Sequence, residues 1–493
     1  MTTTQVGSPM SRSDAEHRIL EAVERMADEA IADIRNAIRQ PSVSHTGEGV
    51  RKMADWTERY LRGLGATTRQ VEGVRSPIVE GDLIVDSKLP TLLVYDLYDV
   101  QPAKGQAGWT VDPFAAEIVT DSQGRQRIVG RGAFNSKGPL FGTLAVLKAF
   151  RRTGIAPPVN FRFLIEGEEE VGSPSLPNYI ATNHERLAAC DAAFIPYFGT
   201  SGRGETILRL GFKGLSLLEF SVTGGDWGGP ARADAHALHG ALVASPTWQL
   251  TRALASLIDD EERLVVDGLA AMTPAPSPDD RALIEEAASV YDLSAYRNDL
   301  GVERFKGDGT ARDALERLMF SCTLNIDAFA AGALQEGSDP ATLIPRVARA
   351  VADLRTLPGM NPDAVIALIR SHLDRRGFAH VAIKRRSVPY PASRALPGEP
   401  VVKALVEACR AHASKVTVFP IHTGAAPMYL FSEVLGVPFA FGGVGHGAGS
   451  HGPNEYILLD DVTLFMKSVA SFFFGYGAHY AAQSQQGAHK VRK

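Results

Sequence analysis

Three consecutive carboxylates, Glu168-Glu169-Glu170, follow the apolar run VNFRFLIE after a single glycine. Neighbouring carboxyls that lose part of their water oppose each other's ionisation. They then share a proton over part of the pH range and can work as a general acid or base. Asp99 stands at the end of another β-rich run, TLLVYDLYDV, and His451 lies four residues before Glu455 in GSHGPNE. His236 follows Asp234 by two residues, and Arg355 ends the run RVARAVADLR. Each residue also has a plainer explanation. Asp99 suits a strand-end cap, a run of glutamates is usually a solvated face, His236 and His239 suit a surface loop, and Arg355 suits an exposed strand position. Their joint placement therefore decides their meaning.

The elements that must position them alternate between two periodicities. EHRILEAVERMADEAIADIRNAI and GEGVRKMADWTERYLRGL read as amphipathic helices around the break PSVSHT. Short β-rich runs follow, TLLVYDLYDV, RQRIVGRG and VNFRFLIEGEEE, with the helical run PLFGTLAVLKAFRRTG between the last two. This alternation predicts an α/β sheet with functional residues at strand ends. The pattern changes near Gly211. GFKGLSLLEFSVTG reads as a strand, PTWQLTRALASLID as a helix, RVARAVADLR as a strand, NPDAVIALIRSHLDRRG as a helix and HVAIKRRSV as a strand. That order predicts a small α/β sandwich of its own. We therefore expect a discontinuous α/β domain over 1–210 and 389–493, with a lid or dimerisation domain over 211–388.

Bulk properties exclude several function classes. A net charge of −5 over 493 residues gives no basic footprint for nucleic acid or for a membrane surface. No stretch reaches the roughly 20 apolar residues of a membrane span. Three scattered cysteines do not form a disulfide framework or a zinc–thiolate site. The opening residues lack the apolar core of a signal peptide, so a cytoplasmic protein acting on a small molecule is expected.

In order and spacing, the chain resembles the dinuclear zinc peptidase and deacylase family of carnosinase, carboxypeptidase G, acetylornithine deacetylase and succinyl-diaminopimelate desuccinylase. The resemblance runs from about Ile19 to Phe474 and rests on five frames met in sequence. Asp96-Leu97-Tyr98-Asp99-Val100-Gln101-Pro102 matches a frame whose second residue is a zinc-binding His and whose Asp orients it. Gly130-Arg131-Gly132-Ala133-Phe134-Asn135-Ser136-Lys137-Gly138 matches one whose Asp bridges both ions. Glu169 falls at the general-base position and Glu170 at a ligand position. Tyr197, after Asp191-Ala192-Ala193-Phe194-Ile195-Pro196, falls where a second ligand Asp is usual. His451 keeps its place before Asn454-Glu455.

The resemblance implies that one ion would use positions 97, 135 and 197, now Leu, Asn and Tyr, and the other positions 135, 170 and 451. It also implies substrate contacts from the second domain: His236, Thr342, Arg355, and a loop glycine at Gly424 in Thr423-Gly424-Ala425. Tyr197 and Asn135 join these as substrate-side residues of the altered site. The expectation that follows is a repurposed, metal-independent and biosynthetic enzyme acting on an amide, ester or acyl-amino-acid-like compound. In it Glu169 is the acid/base, Asp99 and His236 assist, and Glu170 and His451 are vestigial ligands. No cofactor is expected beyond a single weakly bound divalent metal. Two alternatives stand beside it: a non-catalytic binding or scaffolding protein, and a mononuclear metal-dependent amidohydrolase or dipeptidase. A homodimer through the lid domain is expected in each case.

Overall fold

Strands at the centre of the chain run side by side and in one direction because helices return each strand to the same edge. The computed structural model describes residues 10–307, 309–332, 342–387 and 389–485; residues 1–9, on which the signal-peptide reading leans, lie outside them. The chain forms two compact units, one of 1–210, 395–418 and 430–493, the other of 211–394 and 419–429.

The first unit is built on a six-stranded sheet, in the order Thr67–Val71, Ile78–Leu83, Asn160–Glu166, Thr91–Leu97, Ala192–Pro196 and Phe439–Gly442. The last four strands are mutually parallel, while Ile78–Leu83 pairs antiparallel with both of its neighbours. Parallel strands buried on both faces need continuous apolar sequence, and Leu92, Leu93, Val94, Phe163, Leu164, Ile165, Ala193 and Phe194 supply it. The helix Lys137–Thr153 is buried along almost its whole length, as a helix packed in a core must be. The long final helix, Leu459–Gln485, closes the aromatic core, where Phe472 meets Phe194 at 4.5 Å and Phe473 meets Phe161 at 4.8 Å.

The parallel strands end together at one edge, where open α/β sheets place their ligands. Asp99, Glu169 and Glu170, and Tyr197 leave the sheet there, after Leu97, Glu166 and Pro196 respectively. A second antiparallel sheet, in the order Gly447–Ala448, Tyr456–Leu458, Gln126–Val129 and Glu117–Thr120, supplies the other half of the site. Val129 pairs with Tyr456, so the loop after Val129 and the hairpin 449–455 emerge at the same end.

The second unit has a four-stranded antiparallel sheet, in the order Thr323–Ala331, Val347–Arg355, Ser216–Thr223 and Ala382–Arg385. Alternate residues Leu218, Phe220 and Val222, with Ala348, Ala350, Ala352 and Leu354, face the helices Pro246–Ala255 and Pro362–Arg375. The strand Thr323–Ala331 was not apparent from the sequence. It is an exposed edge strand, so it lacks the alternation of apolar and polar residues that marks a half-buried one.

Candidate active site

Asp99 is fully buried, and its carboxylate accepts the backbone N–H groups of Glu169 at 3.3 Å and Glu170 at 3.0 Å. It therefore fixes the short turn Glu169–Val171 that carries both glutamates. Burial, and then the nearby Glu170 charge, push the Asp99 carboxyl up to about 7. Glu168, one residue earlier, has a different task. It accepts backbone N–H groups from Arg75, Ser76 and Ser175, and anchors the loop before the turn. Glu168 is therefore a buried structural anchor and not part of a solvated face.

Glu170 is the hub of the site. Its Oε1 accepts from Asn135 Nδ2 at 2.7 Å, and its Oε2 accepts from Gln101 Nε2 at 2.8 Å and lies 3.1 Å from His451 Nε2. Gln101 also donates to the Glu170 carbonyl at 3.0 Å. The bond to Glu170 raises the His451 pKa. Asn135 Nδ2 lies 3.3 Å from His451 Nε2. Three segments far apart in sequence thus converge through Asn135, Glu170 and His451. Beside them, Glu169 is held strongly towards its neutral form by burial, and then by the charges of Glu170 and Asp99.

Glu455 holds the pieces in register. It is buried and accepts from Arg131 Nη1 at 2.8 Å and from the N–H groups of Gly132 at 3.1 Å, Phe134 at 3.0 Å and Asn135 at 2.8 Å. Arg131 also donates to the His451 carbonyl at 3.2 Å. One ion pair thus grips both the Asn135 loop and the His451 hairpin. His451 itself sits at φ 63°, a conformation uncommon for a residue with a side chain and one that clusters at functional sites. Gln101, Arg131 and Glu455, which the sequence reading quoted within its frames but gave no role, hold these segments together.

Glu170, His451 and Asn135 are spaced closely enough to be compared with the ligands of a metal ion. Tetrahedral zinc bonds of about 2.0–2.2 Å place two ligands of one ion roughly 3.3–3.6 Å apart, and Glu170 Oε2 and His451 Nε2, at 3.1 Å, would need to part by only a few tenths of an ångström. The Asn135 amide is within reach of both, and turning it over presents its oxygen instead of its nitrogen. Gln101 and Asp99 hold the Glu170 segment from behind, as the outer partners of metal ligands do. Glu170 and His451 are thus two donors that one divalent cation could share, with the turned Asn135 amide as a third; among the described residues no group of three His, Cys, Asp or Glu side chains converges on one point. At the other positions, Leu97 has no donor atom. Tyr197 is pushed up to about 12 by burial and so keeps its proton at neutral pH.

The remaining sequence-derived residues lie in the second unit. His236 and Thr342 come together on a two-stranded ribbon, where His236 pairs with Leu343 and the Thr342 carbonyl accepts from Ala237 at 2.8 Å. Arg355 bonds to Asp353 at 3.2 Å at the end of its strand. Gly424 donates its N–H to His422 Nδ1 at 2.9 Å.

Comparison with known proteins fits this geometry. A family model described as peptidase family M20/M25/M40 matches residues 97–474. The Cys-Gly metallodipeptidase dug1 of Schizosaccharomyces pombe is 27% identical over 373 residues, covering 73% of this chain and 75% of that protein. The beta-Ala-His dipeptidase of Homo sapiens is 29% identical over 306 residues, covering 60% and 56%. Among solved structures, an M20 family metallo-carboxypeptidase from Sulfolobus solfataricus aligns with TM-score 0.79 at 29% identity, over 91% of this chain and 99% of that one.

Two expectations are corrected. A metal-independent, repurposed enzyme and the absence of a cofactor are both overturned by relatives that are named metallodipeptidases. The biosynthetic role finds no support among them. The physical reason for the error is that the substituted positions 97, 135 and 197 were weighed above Glu170 and His451, which remain; the metal-dependent alternative given beside that expectation is the one the relatives' names support. One ion needs only donors converging on one point, and Glu170, His451 and Asn135 still converge. The chain belongs to the M20/M25/M40 peptidase family.

Proposed function

We propose that this protein is a metal-dependent dipeptidase, or a closely related amidohydrolase, that holds one divalent cation between Glu170 and His451. The observation that carries the reading is the 3.1 Å approach of the Glu170 carboxylate to the His451 imidazole, with the Asn135 amide beside both. The names of the relatives support a dipeptide as substrate and a metal as cofactor. A cation bound there supplies Lewis acidity towards the scissile carbonyl and makes a bound water more acidic.

The chain's own residues do the rest. Water oxygen adds to the amide carbon, the C–N bond breaks, and the water's proton ends on the leaving nitrogen. Glu169 is the group that takes that proton and returns it, the charge of a bound cation opposing the burial and carboxylate neighbours that otherwise hold it neutral. Asp99 acts at one remove, by holding the backbone of Glu169 and Glu170. His236, Thr342, Arg355 and Gly424 are proposed as the substrate-side groups of the second unit. The exposed edge strand Thr323–Ala331, with Ile326 and Phe329 open to solvent, supports a homodimer through that unit. The three cysteines, all buried and none in a disulfide among the described residues, support a cytoplasmic setting, and no helix among the described residues is long and apolar enough to cross a membrane.

The test is to strip the protein with chelator, reload it with Zn²⁺, Mn²⁺ or Co²⁺, and assay a dipeptide panel that includes Cys-Gly and β-Ala-His. Activity should vanish and return, saturating at one ion per chain. Full activity in the stripped protein, or no cleavage with any ion, would refute the reading.

A further inference from the structure

Next to the polar hub, the first unit presents three aromatic rings. Phe134 immediately precedes Asn135, and its ring lies 4.9 Å from that of Tyr197. Tyr197 follows the strand Ala192–Pro196 and stacks on Phe441 at 5.1 Å with 27° between the planes. Phe441 stands on the neighbouring parallel strand, in register with Ile195. The Tyr197 hydroxyl bonds to Ser450, the residue before His451. Phe134 and Tyr197 are thus tied to the segments of Asn135 and His451, and Phe441 backs Tyr197.

Two features separate this cluster from ordinary core. All three rings are only partly buried, whereas the core phenylalanines Phe161, Phe163 and Phe194 are sealed. The rings are also braced. A Cβ on Gly447 would stand 2.3 Å from the Phe134 ring, so only glycine lets that ring lie where it does. A rigid, partly open aromatic wall beside the donors of a peptidase site is suited to a flat apolar side chain.

We propose that Phe134, Tyr197 and Phe441 form a recognition wall for an aromatic side chain on a residue flanking the scissile bond. The inference rests on the dipeptidase reading and narrows it to substrates with an aromatic residue.

The experiment compares kcat/KM for Phe-Gly, Gly-Phe, Ala-Gly, Gly-Ala and Asp-Gly on the metal-loaded protein, with Phe441→Ala and Tyr197→Phe variants. One of the two aromatic dipeptides should exceed its alanine counterpart by about tenfold or more, since ring-on-ring contact adds to what burial of the side chain supplies. Phe441→Ala should erase that preference through KM and leave metal affinity unchanged. Tyr197→Phe should retain it. Equal rates across the panel, or a preference that survives Phe441→Ala, would overturn the proposal while leaving the dipeptidase reading intact. If no dipeptide is cleaved, calorimetric titration with N-acetyl-phenylalaninamide and N-acetyl-alaninamide decides. Tighter aromatic binding that is lost in Phe441→Ala upholds the wall, and equal binding removes it. Should Phe441→Ala fail to fold, Phe134→Leu replaces it, with the same loss of preference expected.

Discussion

Replacing Glu455 by Gln keeps the shape of the side chain and removes its charge, and its effect can be worked out contact by contact. One oxygen now accepts from Phe134 and Asn135, and the other from Arg131 and Gly132. An amide keeps one accepting oxygen and turns an N–H₂ group towards two donors. Two hydrogen bonds are lost, and the fully buried Arg131 guanidinium keeps its charge without a carboxylate. Breaking one side of a buried pair costs about 3–5 kcal/mol, mostly because the partner stays charged and unmatched. Burial already pushes the Glu455 carboxyl up against the pull of its donors, so the cost belongs to the broken pair rather than to any large net gain from the intact one. Since Arg131 also holds the His451 carbonyl and Glu455 holds the Asn135 N–H, ion affinity should fall by about 10–100-fold. Urea unfolding without metal measures the first quantity, and Zn²⁺ titration of the folded variant measures the second. Arg131→Met in the same background should recover part of the stability, because both charges are then gone. A Glu455→Gln protein within 1 kcal/mol of the parent and with unchanged Zn²⁺ affinity would refute the reasoning.

Other outcomes can be checked on the same preparations. Glu169→Gln should lower kcat by about a hundredfold or more while Zn²⁺ still binds, since it removes a proton carrier rather than a donor; full activity would take Glu169 out of the mechanism. Gln101→Leu removes both bonds to Glu170 and should weaken Zn²⁺ binding by about tenfold, read by competition with a chelating dye. Burial pushes the Glu166 carboxyl up to about 8 from an ordinary value of 4.5. The folded state therefore binds its proton more tightly than the unfolded chain. Its contribution is full below about 4.5 and is lost as pH rises through about 8, so Glu166→Gln should flatten the stability profile of the metal-free protein over that window. An unchanged slope in urea titrations at pH 5 and pH 8.5 would count against it.

The fold was legible where periodicity is strong. The parallel strands read as apolar runs because both faces are buried, and the surrounding helices read from their apolar stripes. The α/β class follows from that alternation. The exposed strand Thr323–Ala331 was not legible, because an edge strand in solvent has no apolar face to betray it. At the site, Asp99, Asn135, Glu169, Glu170 and His451 could be singled out by residue type and frame, and the structure brings them together. Gln101, Arg131 and Glu455 could not. A glutamine, an arginine and a glutamate are common surface residues, and their importance lies in contacts across the chain, such as Arg131 reaching a hairpin that follows the whole second unit. The metal-independent reading failed for another reason. It weighed the missing donors above Glu170 and His451, which remain 3.1 Å apart, and the relatives are named metallodipeptidases.

The division of the first unit between the two ends of the chain bears on how the protein is made. During synthesis, Asp99, Asn135 and Glu170 leave the ribosome long before His451 and Glu455, with the bulk of the second unit between them. The nascent sheet must wait for its outer parallel strand, Phe439–Gly442, and for the helix whose Phe472 and Phe473 cover Phe194 and Phe161. Until then a large aromatic face stays open, while the mostly contiguous second unit has its own sheet, helices and core from which to fold. Contacts of such long sequence separation slow folding and expose the intermediate to aggregation. The half that carries the candidate site is therefore the last to mature and the half most in need of a chaperone, and a chain cut short before Gly449 would lack His451 and Glu455.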